Sequence, residues 1–552
     1  VSAESSGVDR TPSVLGSSAV MAAGTFVSRL SGYVRTGLLV AALGSGLHAD
    51  IFNIANTIPN MLYILLAGGV FNAVLVPQLV RAIDSDADGG TAYTNRVITL
   101  AALFLGLVTV LLVVTAPLVM RLLVDPSYFD ATHTVEHDAI ITFARYCLPQ
   151  VFFYGMFVLV GQVLNTRQSF GPMMWAPIAN NLISVLVIVA YLVTFGIQRN
   201  AVGYSSGAEA LLGIGSTIGI AVQFAILVPY LRRTGFRYRP RFDFRGTGLG
   251  QTFRLGVWTV LFVIVNQIAF TIVVRLSSSG SAAGGTGFTV YSNAYLLVMV
   301  PHSIITVSVA TAVLPRLSGF GASGKLLSLA SAVSSTIRST YAFVVPLLVL
   351  IPILAPYLAS LVFGWGASAH TYGNFVPTLS MSTIGAFFFT SHYLVLRGFY
   401  ALEQNRRVFY IQCVIAVVNV VAAVILVHGT KPADTAPRLM LAYGISYIVG
   451  AALSYRQLSV IVGGLGTQTL IRFAIRIGIA VAVAAAAAWV AREVADQALA
   501  SGNKLAVLLR LAFVGSVGMG AYLAMARMFR ITEVDQVTRL VSRRLGSSGR
   551  HR

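Results

Sequence analysis

Carboxylates are scarce in this chain: Asp and Glu number 18 among 552 residues, against 38 Lys and Arg, and charged residues make up only 10%. Soluble globular chains carry about 25% charged residues, so a protein made only of soluble domains is excluded. Most of the acids fall in loops and at the ends of apolar stretches, with Asp84, Asp86 and Asp88 in one loop and Asp125, Asp130, Glu136 and Asp138 in another. No group of them gathers where Mg²⁺ or general acid–base chemistry would need it, which counts against a membrane enzyme acting on prenyl diphosphates. Cysteine is nearly absent, and Cys147 and Cys413 lie in separate apolar stretches. A disulfide framework and a Cys-based metal site are thereby excluded. The eight histidines form no ligand pattern; His133 and His137 have helical spacing but sit in a polar loop that suits a surface role. No cofactor and no metal is expected.

What the chain has is hydrocarbon. Hydrophobic residues make up 56% and the mean hydropathy is +0.80, with apolar runs of membrane-spanning length recurring almost throughout. Fourteen runs can be marked, at 18–42, 51–80, 97–121, 138–164, 172–196, 208–231, 251–276, 288–315, 334–363, 374–402, 408–428, 438–456, 468–491 and 504–527. The fold expected is an all-α polytopic membrane protein of about 14 transmembrane helices. Residues 1–16 precede a run too long and too charged for a signal peptide, so they are expected to stay in the mature chain.

The net charge of +20 would suit nucleic acid, but its placement argues for topology instead. With the amino terminus inside, the inner loops and tails hold 26 of the 38 basic residues and the outer ones eight. That bias predicts an even number of spans with both termini cytoplasmic. The densest group, Arg232, Arg233, Arg237, Arg239, Arg241, Arg245 and Arg254, lies between the sixth and seventh runs. It reads as an inner loop in contact with anionic lipid, whereas the Gly/Ser-rich stretch 277–287 is expected to be an outer loop.

The chain also repeats at long range. LVPQL ends the second run and VLPRL the eighth, placing Pro77 and Pro315 238 residues apart. The same offset relates Leu164 to Leu402 and Asn181 to Asn419. Two six-helix lobes of like orientation follow, an arrangement that puts a cargo site between the halves. The expected division is a cytoplasmic tail at 1–17, an N-lobe at 18–231, a basic cytoplasmic linker at 232–250, a C-lobe at 251–456, a helix pair at 457–527 outside the repeat and a basic cytoplasmic tail at 528–552.

Four arginines lie inside runs: Arg29, Arg35, Arg145 and Arg397. A buried charge near the bilayer centre costs about 2.5–3.5 kcal/mol on insertion scales, so an intramembrane arginine reads as a functional site with an anionic partner. The planar donor fork of guanidinium suits phosphate. The other reading for Arg29 and Arg35 is a side chain that snorkels or bonds backbone carbonyls. Asp50, at the junction of the first two runs, is placed to pair with Arg35. The second run contains Pro59, Gly68, Gly69 and Pro77, and the eighth contains Pro301 and Pro315. Kinks at matching places suit moving gates; permanent kinks used for packing are the alternative.

The stretch SRLSGYVRTGLLVAALGSGLHADIFNIANTIPNMLYILLAGGVFNAVLVPQL (28–79) strongly resembles the start of the MurJ/MviN family, lipid II flippases of the multidrug/oligosaccharidyl-lipid/polysaccharide exporter superfamily. GQVLNTRQSFGPMMWAPIANN (161–181), VLPRLS (313–318) and LRGFYALEQNRRVF (396–409) extend the likeness over roughly residues 15–530, and its overall look is similar to actinobacterial members. The resemblance implies a cationic cavity between two lobes and a final helix pair lining a groove for the lipid tail. It assigns Arg29 and Arg35 to the substrate together with Asp50 and Asn60, and it adds Gly32 and Pro177 to the candidate hinges. The chain departs from the pattern at Tyr63, Leu296 and Met299, where many relatives carry charge; Arg275, Arg145 or Arg397 are candidates to compensate, and Arg275 is counted with the substrate site. The carboxylates that bind Na⁺ in some members are missing from the seventh and eleventh runs.

The function expected is therefore a flippase, not an enzyme, in the bacterial cytoplasmic membrane. It would move the undecaprenyl-diphosphate-linked peptidoglycan precursor, lipid II, from the inner to the outer leaflet by alternating access. Its expected partners are lipid II, membrane lipids and cell-wall synthesis or regulatory proteins, with no nucleic acid. The alternatives are an exporter of another polyprenyl-linked saccharide or a drug, and a nontransporting scaffold for wall synthesis. An arginine-positive, acid-poor interior counts against cationic drugs.

Overall fold

The computed structural model describes residues 14–65, 76–86, 88–130, 133–197, 203–243, 249–499 and 502–534, and no strand occurs among them. Helix is what apolar runs must form where no water can satisfy the backbone. The first run is α1 (Val14–Leu43), and the second is broken into α2 (Leu47–Ala55), α3 (Thr57–Ile64) and α4 (Val76–Ser85). The third is α5 (Thr91–Val114) with α6 (Ala116–Leu123), and the fourth is α7 (Thr134–Cys147) with α8 (Gln150–Thr166). Then come α9 (Gly171–Phe195), α10 (Ser206–Arg233) and α11 (Leu249–Ala282). The eighth run is α12 (Phe288–Val298), a π-helical turn at His302–Thr306 and α13 (Val307–Ala322). The last six are α14 (Leu326–Phe363), α15 (Phe375–Ala401), α16 (Asn405–Val427), α17 (Thr435–Val462), α18 (Thr467–Ala498) and α19 (Lys504–Met528). Among the described residues, 12 helical segments are long and apolar enough to cross a membrane. With α1 and the broken second run they account for the fourteen.

Packing reproduces the repeat. In the first half α1 lies on α9, α9 on α10 and α10 on α8; in the second, α11 lies on α16, α16 on α17 and α17 on α15. Corresponding loops even share a backbone device. Gln168 (φ 61°) and Glu403 (φ 57°) each sit two residues beyond a helix end in the left-handed region, so that the next amide turns back. Ser169 N–H donates to the Leu164 carbonyl and Gln404 N–H to that of Phe399, each at 2.9 Å, the 6→1 closure of a helix C-terminus.

The final pair, α18 and α19, packs on itself and on α14. Beyond α19 the chain is pinned by an ion pair of 2.7 Å between Arg338 of α14 and Glu533, whose side chains are 27% and 10% exposed. Glu533→Ala would strand a mostly buried guanidinium whose Nε already has no protein partner among the described residues. The expected loss is about 1–3 kcal/mol, read as a lower thermal midpoint in detergent. A variant with Leu at both positions should recover most of it.

One expectation is corrected. The Ser-rich stretch after the seventh run is not all loop, because α11 continues to Ala282. Its hydroxyls are satisfied by the helix itself, Ser277, Ser278 and Ser279 each donating to the carbonyl three residues back at 2.7–2.8 Å. The basic linker, as far as it is described, is not a free loop either. Residues 236–243 fold along α5, with Arg239 N–H donating to Asn95 Oδ1 at 2.9 Å and Arg241 N–H to Thr99 Oγ1 at 3.1 Å. There the Arg96 guanidinium, hydrogen-bonded to Asp243, holds that carboxyl below its ordinary value. Arg245 and the side chain of Arg254 lie outside the described residues.

Candidate functional site

A chamber of about 610 Å³ lies between the two halves. From the first half it takes residues of α1, α2, α3, α8, α9 and α10; from the second, residues of α11, α12, α15, α16 and α17. Arg35 is the one charged residue among those lining it. The rest of its polarity among the described residues is amide and hydroxyl, including Asn53, Asn56, Asn60, Asn266, Gln267, Asn293 and Asn419. Aromatic faces complete the wall, including Tyr154, Tyr295, Tyr443 and Tyr447.

Two of these amides are held by groups outside that set. Gln150 donates to Asn56 Oδ1 at 2.9 Å, and Gln267 of α11 reaches across the halves to the Met61 carbonyl at 2.7 Å. Among the described residues neither Arg35 nor Arg29 pairs with a carboxylate; the ion pairs present are elsewhere, at Asp243, Asp138, Glu533 and Asp496. Arg35 thus stands as a cation in an amide-rich space with its counter-charge unassigned. Tyr63, at one of the departures from the family pattern, packs against Tyr154 with the rings tilted by 43° and their centroids 4.9 Å apart.

The halves are joined most closely at the end of the molecule opposite the basic loops. Asp50 is fully buried, and its carboxylate accepts from the backbone N–H groups of Phe288 and Thr289 at 2.8 and 2.7 Å. It therefore caps the N-terminus of α12 from the other half of the chain, where the unpaired amides and the helix dipole favour an anion. Asn53 donates to Thr289 Oγ1 at 2.8 Å, and Ser45 and Thr371 share a hydrogen bond of 3.0 Å. Gly287 precedes the cap. Its φ of −127° is open to any residue, but a Cβ there would collide with the Asp50 carboxylate and with Ser281.

At the basic-loop end the first half packs by itself. Leu79, Val97, Phe157, Leu164, Leu227 and Phe236 belong to a buried cluster separate from the main core. Near this end Arg397 lies over the ring of Tyr393 at 4.0 Å and of Tyr400 at 5.5 Å. His302, at the start of the π-helical turn, shares a hydrogen bond of 2.9 Å with Thr390.

The structure brings Arg35 and Asn60 to the chamber, but not Arg29, Asp50 or Arg275. Arg29 is exposed, six residues or about 9 Å back along α1. Asp50 is spent on α12 rather than on Arg35. Arg275 is directed to the carbonyls of Arg121 and Leu122, each at 3.2 Å, where it neutralises the C-terminal end of α6. Gly32 lies in the unbroken α1, and a Cβ there would make an ordinary contact of 3.6 Å with Asn181. Pro59 is buried in the first turn of α3, Pro177 lies inside α9 and Pro301 directly precedes the π-helical turn. Gly68 and Gly69 fall outside the described residues. What the sequence reading missed is the amide lining and His302. The signal was available as Asn and Gln recurring inside apolar runs, which nothing but a partner or a polar cavity explains.

Comparison with known proteins gives a consistent picture. The model of the family described as lipid II flippase MurJ matches residues 39–510. A probable lipid II flippase MurJ of Rhizobium meliloti (strain 1021) is 25% identical over 417 residues, covering 74% of each chain. One from Buchnera aphidicola subsp. Baizongia pistaciae is 23% identical over 506 residues, covering 90% of this chain and 94% of that one. Among solved structures, a lipid II flippase MurJ in an inward closed conformation superposes with a TM-score of 0.70 at 17% identity, covering 93% of this chain and 98% of that one. An inward-facing multidrug resistance MATE family transporter superposes with a TM-score of 0.58 at 16% identity, covering 80% and 98%.

Proposed function

Because the chain belongs to the MurJ lipid II flippase family, a family of multi-pass membrane transporters, we propose that it carries lipid II across the cytoplasmic membrane by alternating access through the chamber between its halves. The observation that carries this reading is Arg35: a cation without a carboxylate partner, facing a chamber built from both halves. A diphosphate supplies the missing counter-charge and suits the guanidinium fork. Arg29 of α1 and Arg397 of α15, nearer the basic-loop end, form a cationic approach that draws the headgroup inward.

Positive-inside bias puts the basic loops and both termini in the cytoplasm. The Asp50 cap then closes the outer end, and the separately packed first half leaves the inner end as the side of loading. The lobes are 18–231 and 251–456, with the α18–α19 pair providing a surface for the polyprenyl tail beside α14. Transport requires the outer contacts to break and the inner ends to meet, with the broken second run, the π-helical turn after Pro301 and Pro177 as points where helices bend.

The test is purified protein in liposomes with labelled lipid II, scored for transfer between leaflets. Transfer above protein-free vesicles is expected. Failure on lipid II, with transfer of a different polyprenyl-linked saccharide, would reassign the cargo. For topology, a cysteine at Gly235 should react with a membrane-impermeant thiol reagent only from the cytoplasmic side; labelling from outside alone would refute the orientation.

A further inference from the structure

The chamber has two chemically different walls. Arg35 marks the first-half wall, while the residues contributed by the second half carry no charge and are amide, hydroxyl and aromatic. The repeat explains how a spare amide arises there. In the first half Asn181 of α9 is spent on α1, its Nδ2 donating to Ser28 O and to Ser31 Oγ, both at 2.9 Å. The 238-residue offset carries Ser28 to Asn266 and Asn181 to Asn419, and α11 packs on α16 as α1 packs on α9. In the second half the tie is made by a different residue, Gln412, whose Nε2 donates to Asn266 Oδ1 at 3.2 Å. Asn419 is left over. It lines the chamber, and its Oδ1 is buried with no protein partner among the described residues.

A carboxamide in an apolar helix costs free energy unless its donors and acceptor are used. A ligand that uses them must offer both donors and acceptors without needing a counter-charge. The second-half wall that carries Asn419 also presents Asn293 and the rings of Tyr443 and Tyr447, whose centroids are 4.7 Å apart. Amides that bond hydroxyl and acetamido groups, next to aromatic faces that cover the C–H face of a ring, make a surface suited to a pyranose.

We infer that Asn419 and Asn293, with Tyr443, form a subsite for the uncharged saccharide of the cargo, on the wall opposite the arginine that takes its diphosphate. This rests on the transport reading above. The chamber then reads the headgroup in two parts: charge sets whether a polyprenyl diphosphate is held, and the amides set which sugar-bearing lipid is preferred.

Three probes test it on the full-length protein: lipid II, the same lipid with its disaccharide but no peptide, and undecaprenyl diphosphate alone. Wild type should bind the first two comparably and both more tightly than the third. Asn419→Leu, which keeps side-chain volume and removes the amide, should lower the ratio of disaccharide-lipid to bare-diphosphate affinity by about tenfold. Asn293→Leu should lower the same ratio, and it carries the test if the Asn419 variant loses its thermal transition. Arg35→Ala should weaken all three ligands together. An unchanged ratio in a folded variant overturns the inference, as does wild-type indifference to the disaccharide or discrimination that disappears only with the peptide. If wild type transfers lipid II yet shows any of these results, the transport reading stands and the saccharide subsite falls; if it neither binds nor transfers lipid II, the transport reading itself has failed.

Discussion

Arg35→Ala is expected to weaken lipid II binding by about 10- to 150-fold, the equivalent of roughly 1.5–3 kcal/mol for a hydrogen-bonded charge partner. Transfer in liposomes should fall with it. The effect belongs to Arg35 rather than Arg29 because Arg35 lines the chamber, where among the described residues it is the sole charge. Arg35→Lys should retain part of the affinity, since the charge survives while the planar fork is lost, and Arg35→Glu should be worst, placing like charges together. Arg29→Ala, outside the chamber and exposed, should act mainly on loading. Its effect should shrink at high salt, where long-range attraction is screened. Equal lipid II affinity in wild type and the Arg35 Ala and Glu variants, with folded protein in matched amounts, would make Arg35 a structural charge and move the diphosphate to the Arg29, Arg397 and His302 group.

Much of the architecture was legible because lipid leaves the backbone few choices. An apolar run of sufficient length becomes a helix. The repeat could be read from Pro77 and Pro315, Leu164 and Leu402, and Asn181 and Asn419, and the packing of α1 on α9 and α11 on α16 follows it. The arginines were legible as well, since an intramembrane guanidinium demands a reason.

Partners distant in sequence were not legible. Asp50 and Arg35 look like a pair on one short connection, yet Asp50 reaches 238 residues forward to α12. The start of a helix in the other half offers several converging amides, which a single flexible guanidinium does not match. Arg275 was a candidate to replace the cavity charges missing at Tyr63, Leu296 and Met299, but it bonds the carbonyl end of α6. The serines after Arg275 read as loop because their hydroxyls compete with the backbone in water; at the end of a membrane helix those same hydroxyls bond back and let it continue. The amide lining escaped notice because each Asn is unremarkable by itself, and only the fold gathers them.

Asp50 carries the other large prediction. Its carboxylate satisfies two amides of α12 across the interface between halves, so Asp50→Ala would leave those donors unpaired and remove the anion from a helix N-terminus. The expected shift in the balance between the outer-closed and outer-open states is about 10- to 150-fold, from roughly 1.5–3 kcal/mol. Asp50→Asn, which keeps an acceptor but loses the charge, should fall between. Ser45 and Thr371 meet across the same end at 3.0 Å, so cysteines at those two positions, with Cys147 and Cys413 replaced, should form a disulfide readily in the parent and poorly in the Asp50→Ala background.

Gly287→Ala provides an independent route to the same loss, because the added methyl occupies the space of the Asp50 carboxylate and leaves the acid itself in place. Loss of cross-linking with both substitutions would tie closure to the cap rather than to Asp50 as a group that touches cargo. If both variants cross-linked at the parental rate while losing lipid II binding, Asp50 would belong to the substrate site and the outer closure would rest on other contacts. A transporter needs this contact to be finite. The Asp50 cap and the hydrogen bonds of Asn53 with Thr289 and Ser45 with Thr371 are each contacts of about 0.5–3 kcal/mol, a size that differential binding of a ligand to the two states can offset.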